Sequence, residues 1–174
     1  MKQTVPRMSL GVCIYFDRQL AALCRHKNLI NPSKTLLGND VYVHQSRINI
    51  EQTNGSVVAW HQDFGTYHRV DGVPEPRGVM IGVFLDDVTE VNAPLLGVPG
   101  SHKEGLVSTA SLDPTSPDFE EVSKYRYDIT KETMAGLVER HGLETITGPS
   151  GSVLFMDMTV VHGSNVIISA LRRL

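Results

Sequence analysis

The sequence predicts an all-β core with flanking helices, in the double-stranded β-helix (jelly-roll, cupin-like) class. Short apolar runs recur along the chain at residues 57–60, 79–85, 95–98 and 151–162, rich in β-branched and large side chains. Turn-forming residues separate them, as in Asn92-Ala-Pro94, Pro99-Gly100 and Gly148-Pro-Ser-Gly151. Helix-period spacing is confined to the front of the chain and to one later segment. Many short strands with turn-rich junctions and few helices are what a double-sheet roll requires.

Composition narrows the function. With 174 residues, 41% hydrophobic and 20% charged, the chain suits one domain over residues 1–174 with a substantial core. A net charge of −3 with no basic block argues against nucleic acid as a partner. Cys13 and Cys24 match neither a zinc pattern nor a disulfide framework, so a reduced, cytoplasmic setting is expected. No run reaches the ~18 apolar residues of a membrane span. Residues 8–16, after Lys2 and Arg7, imitate a secretion signal, but Asp17-Arg18 cut the run short and no small-residue cleavage site follows. The expected partner is a small molecule, and a homodimer is compatible with that.

Taken in order, Phe16, Leu20 and Leu23 have helical spacing, and Asn31-Pro32 is expected to break that helix. Ser33 to Leu37 add a short helix ended by Gly38-Asn39, completing a helical lead-in over residues 1–40. Residues 41–50 alternate loosely as a strand. Thr53-Asn54-Gly55 then turns the chain into the strand 57–60. Residues 72–76 form a loop, 79–85 a buried strand ended by Asp86-Asp87, and 95–98 a short strand. Residues 104–142 read as an insertion covering a site, with a helix over 130–140 capped by Thr130. The run 151–162 is a strand ending in His162, followed by a turn and a second apolar stretch over 166–171.

The chemistry concentrates at His61-Gln62-Asp63. Residues two apart on a strand share a face, so an imidazole and a carboxylate would be aimed at one point. That is two thirds of the facial set of two His and one carboxylate that binds non-haem Fe(II) with coordination positions left open. A lone His-X-Asp is weak, and His162 at a strand end supplies the missing third. His68 and His102 are read as structural, and Trp60 and Phe64 as packing residues.

Six ordered motifs carry a resemblance. They are Trp60 to His68, Asp71 to Pro74, Asn92 to Leu95, Pro99 to Lys103, Thr147 to Ser152 and His162 to Asn165. Together they resemble the phytanoyl-CoA dioxygenase superfamily, and within it the ectoine hydroxylases, from about residue 36 to residue 165. The resemblance implies a jelly-roll dioxygenase using Fe(II), 2-oxoglutarate and O₂. It implies His61, Asp63 and His162 as iron ligands, and Arg173, with Arg172 as its near competitor, as the anchor of the far carboxylate of 2-oxoglutarate. Gln45, Asn49 and Ser164 match positions facing the cosubstrate. Gln45, Thr66 and Tyr67 match positions facing the substrate. An Arg fork suits a carboxylate, because its charge is permanent and two parallel bonds form.

The carboxylate Asp63 favours hydroxylation, since halogenating relatives carry a small residue there. Where ectoine hydroxylases usually read Glu-Thr-Trp, this chain has Gly65-Thr66-Tyr67, which points to a different substrate loop. The family's N-terminal region is largely absent before residue 15, and relatives continue beyond Arg173, so a short last strand is expected. The expected substrate is a small zwitterion, ectoine-like or a free amino acid. A secondary-metabolite intermediate and a non-catalytic binding module are the alternatives. Zinc hydrolysis is disfavoured, because no general base stands beside the ligands.

Overall fold

The computed structural model describes residues 8–11, 17–50, 57–107 and 129–169. Every strand pairing among them is antiparallel. Strand β1 (Met8–Gly11) pairs with β2 (Arg47–Ile50). Strand β3 (Val79–Val83) pairs with β6 (Val153–Asp157), Val79 opposite Asp157 and Val83 opposite Val153. Strand β4 (Leu95–Gly97) lies between β5 (Glu144–Ile146) and β7 (His162–Ser164). The expected antiparallel β core with helices in front is therefore present.

Two helices lead in. Helix α1 (Arg18–Cys24) starts where the Asp17 carboxylate accepts the amides of Gln19 and Leu20 at 2.7 and 2.9 Å. Helix α2 (Lys27–Leu37) ends at Gly38, whose φ of 66° is the left-handed turn that glycine adopts without strain. The expected break at Asn31-Pro32 does not occur, because α2 runs through Pro32. Proline removes the bond to the carbonyl four residues back, which belongs to exposed Asn28, where water can replace it. The break falls at Arg25-His26 instead, where the His26 ring accepts the Asn28 amide and caps α2.

Two expected strands are shorter than read. The strand over 41–50 forms a ladder only at β2, since Tyr42, His44 and Gln45 engage through their side chains. The run 151–162 divides into β6 and β7. Asp157 accepts both the amide and the hydroxyl of Thr159, at 2.8 and 2.6 Å, and the Val160 amide bonds the Asp157 carbonyl. An aspartate that binds its own backbone two residues on makes a turn that interrupts a strand. The turn Thr53 to Gly55 lies outside the described residues.

Helix α4 (Lys131–His141) follows a helix described below and begins as expected, with the Thr130 hydroxyl oxygen accepting the Thr133 amide. Its Met134 and Leu137 join Val98, Ile129 and Val161 in the core, with Trp60 packed against them. Trp60 and Val161 each immediately precede a candidate ligand, so α4 buttresses the backbone that carries both histidines. Leu137 is fully buried. Leu137→Ala should cost about 2–5 kcal/mol, read as a lower denaturant midpoint at unchanged slope.

Candidate metal centre

His61 and His162 face each other across an isolated antiparallel bridge, each amide bonding the other's carbonyl at 3.0 Å. The expected strand over 57–60 is not a ladder strand. Its backbone is held by Ser164, whose amide bonds the Val58 carbonyl and whose hydroxyl oxygen accepts the Val58 amide, both at 3.1 Å. The chain stays extended only through Gln62, with φ −122° and ψ 128°, and Asp63 opens helix α3 (Asp63–Asp71). His61 and Asp63 still project together, because the one extended residue between them preserves the two-residue alternation. His162 begins β7 rather than ending a strand.

The donor set fits a divalent cation. His61, Asp63 and His162 each offer one ligand atom, and these lie within 4.8 Å of one another. Asp63 Oδ1 is 3.3 Å from His61 Nε2 and 3.9 Å from His162 Nε2. Both rings use Nδ1 in the same way, toward the carbonyl two residues earlier: Ala59 at 2.8 Å and Val160 at 2.9 Å. A carbonyl only accepts, so each Nδ1 carries the hydrogen, and each neutral ring turns its Nε2 lone pair inward. Backbone carbonyls bound to the outer nitrogen are the usual means of orienting a metal-binding histidine.

The three groups perturb one another. Burial alone pushes the His61 imidazole down, but the hydrogen bond and charge of Asp63, with the Ala59 carbonyl, outweigh it and raise it. Burial pushes the Asp63 carboxyl up, yet His61 and the charge of His162 hold it below its ordinary range. His162 is lowered, first by burial and then by His61.

Around the ligands, Tyr67 donates its hydroxyl to Gln45 Oε1 at 3.2 Å, and Arg47 donates Nη2 to the same oxygen. His44 Nε2 meets Asp71 Oδ2 at 2.9 Å. Burial, then the Asp63 charge, pushes the Tyr67 hydroxyl up to about 12. Arg47 is the residue the sequence reading passed over. Its charge acts on His61, Asp63 and Tyr67, and it sits between Gln45 and Asn49 in the same alternation. That alternation was the available signal. Thr66 is half-buried on α3, and Asn49 is exposed on β2. Arg172 and Arg173 lie outside the described residues.

The model of the phytanoyl-CoA dioxygenase (PhyH) family matches residues 16–174. The chain belongs to this family. It is 39% identical over 152 residues to an ectoine dioxygenase of Bordetella bronchiseptica, covering 86% of this chain and 49% of that protein. It is 35% identical over 170 residues to an L-proline trans-4-hydroxylase of Streptomyces griseoviridis, covering 95% and 63%. The crystal structure of EctD from S. alaskensis with 2-oxoglutarate and 5-hydroxyectoine superposes with a TM-score of 0.79 at 31% identity, over 95% of this chain and 52% of that one. A structure of the same protein with bound Fe gives 0.76 at 30% identity, over 95% of this chain and 53% of that one. The chain thus spans about half the length of the ectoine dioxygenase it matches.

The raised Tyr67 value gives a direct check. Because it lies above the ordinary value of 10.0, the neutral phenol contributes stability below pH 10.0 that is lost as pH rises through about 12. Ultraviolet absorbance titration should show a late tyrosinate step in the folded protein that is missing in Tyr67→Phe.

Proposed function

We propose that this chain carries the active centre of an Fe(II)- and 2-oxoglutarate-dependent dioxygenase that hydroxylates a small zwitterionic substrate, converting 2-oxoglutarate to succinate and CO₂. The observation that carries the reading is the inward lone pair on both histidines, each fixed by its own carbonyl, beside the Asp63 carboxylate. Two neutral imidazoles and one carboxylate hold Fe(II) on one side and leave the other side open for a chelating cosubstrate and O₂. Bound iron with these two supplies the oxidising chemistry that inserts oxygen into a C–H bond.

The chain's own residues would hold and orient. His61, Asp63 and His162 would hold the metal. Arg173, or its neighbour Arg172, would pair with the far carboxylate of 2-oxoglutarate, with Asn49 and Ser164 toward the same cosubstrate. Gln45, Thr66 and Tyr67 would face the substrate. Gln45 Oε1 already accepts from Tyr67 and Arg47, so what Gln45 has left to offer a substrate is its NH₂ group. Arg47 has further donors in its fork. Such a donor-rich wall suits a substrate carboxylate. The ectoine and proline named in the relatives support a substrate of that size and charge. On this reading residues 1–174 form one dioxygenase domain with a double-stranded β-helix core, a helical lead-in over 1–40 and 104–142 as the insertion over the site, acting in the cytoplasm.

Anaerobic addition of Fe(II) and 2-oxoglutarate to the purified protein should produce the visible charge-transfer band of the chelate. Asp63→Ala should abolish the band and reduce 2-oxoglutarate turnover with small zwitterions by at least about 10³-fold, a rise of ~4 kcal/mol in the barrier. Iron binding without a band points to the Arg172-Arg173 end as defective. Full turnover in Asp63→Ala would refute the assignment.

A further inference from the structure

Gln62 stands between two candidate ligands and has its side chain on the opposite side from theirs. It is fully buried, at 0% exposure. Its Nε2 donates to the Thr159 carbonyl at 2.6 Å and to the Gly105 carbonyl at 2.8 Å, and its Oε1 accepts the Val107 amide at 2.8 Å. One side-chain amide therefore ties the His61–Asp63 backbone to two other segments. The first is the turn from β6 to β7, three residues ahead of His162. The second is the stretch after the 3₁₀ turn Ser101–Glu104, where Glu104 is itself gripped by Arg140 and His141 of α4.

Direct ties between the ligand segments include the reciprocal backbone pair of His61 and His162, the two Ser164–Val58 bonds, and the Phe64 amide to the Met158 carbonyl at 3.0 Å. These fix the edges of the frame on either side of Gln62. The Gln62 amide fills the space between them, and no other side chain type matches it well. A shorter amide would not reach both carbonyls, a carboxylate would set negative charge against them, and an apolar isostere would leave unmade the buried bond to the Thr159 carbonyl and the part-buried ones at Gly105 and Val107. Residues that hold metal-binding side chains in place typically carry 10–100-fold of the metal affinity.

We infer that Gln62 is a positioning residue for the metal centre, coupling the geometry of His61, Asp63 and His162 to the backbone at Gly105 and Val107. The inference rests on the metal-binding reading above. Metal binding sharpens the frame, so it also holds the Val107 amide against its acceptor. Gln62 itself touches no metal and no substrate.

Fe(II) affinity is measured anaerobically for the wild type, for Gln62→Met and for Leu29→Ala, the last lowering stability at a buried position of α2 outside the core cluster that backs the candidate ligands. Gln62→Met should bind Fe(II) at least 10-fold more weakly, whereas Leu29→Ala stays within about 3-fold of wild type. Equal weakening in the two variants, or none in Gln62→Met, would overturn the positioning role. Hydrogen exchange on the unmutated protein gives a second reading that needs no variant to fold. Saturating Fe(II) should slow exchange of the Val107 amide about 10-fold while leaving Val88, bonded to the Gly148 carbonyl, unchanged. Unchanged Val107 exchange, or equal slowing of both amides, refutes the coupling. A wild-type chain that takes up no Fe(II) overturns the metal-binding reading and this one together; uptake with an indifferent Gln62→Met overturns only this one.

Discussion

The three candidate ligand atoms are drawn together at one place, and that constraint governs how the segments carrying them are arranged. A lone pair on each of two imidazoles and a carboxylate oxygen cannot be gathered within 4.8 Å unless something prevents the rings from turning away. The Ala59 and Val160 carbonyls do this by capturing Nδ1. Each carbonyl belongs to the residue two before its histidine, so each ring is steered by its own strand of backbone. The steering works only while those two strands stay in register. Register is what the reciprocal His61–His162 bridge supplies, and Ser164 extends it to Val58.

Packing keeps that short frame rigid. A bridge of two residues has little stability of its own, since most ladder stability comes from neighbouring strands and a covered face. Here β7 pairs with β4, and the buried Val98 and Val161 lie under Met134 and Leu137 of α4. Trp60 closes against the same cluster and also against Gly163, where an added Cβ would meet its ring at 3.3 Å and the Val58 carbonyl at 3.0 Å. Gly163 is thus needed for close approach of the two ligand segments, a separate reason from the turn that Gly163-Ser164-Asn165 suggests in the sequence.

Much of the local geometry was legible because it rests on short-range rules. The two-residue alternation placed His61 beside Asp63, the caps at Thr130 and Gly38 marked helix ends, and the apolar runs marked β3, β4 and β6. The misreadings have long-range or side-chain causes. Pro32 stays inside a helix because its orphaned carbonyl reaches solvent. The 151–162 run breaks because Asp157 folds back on Thr159, a bond whose strength against a continuing strand no propensity scale gives. Arg47 was missed because its role depends on what α3 brings to it, and α3 itself was unread. Its segment is short, carries Gly65 and has little apolar periodicity.

That helix changes the argument about specificity as well as the bookkeeping of elements. Had the strand continued, Tyr67 would stand ~13 Å from Asp63 along the backbone, at ~3.3 Å per residue. In a helix the same four residues advance only ~6 Å and return to the same face. Asp63, Tyr67 and Asp71 therefore form one stripe. Down its length it meets the ligand cluster, then Gln45 with Arg47, then His44. Asp63 also gains from opening the helix, whose N-terminal dipole favours a charged carboxylate. The switch from extended chain to helix at Gln62 is thus what turns the His61–Asp63 pair into a continuous wall, with the candidate metal-binding carboxylate at one end and the donors of Tyr67 and Arg47 beside it.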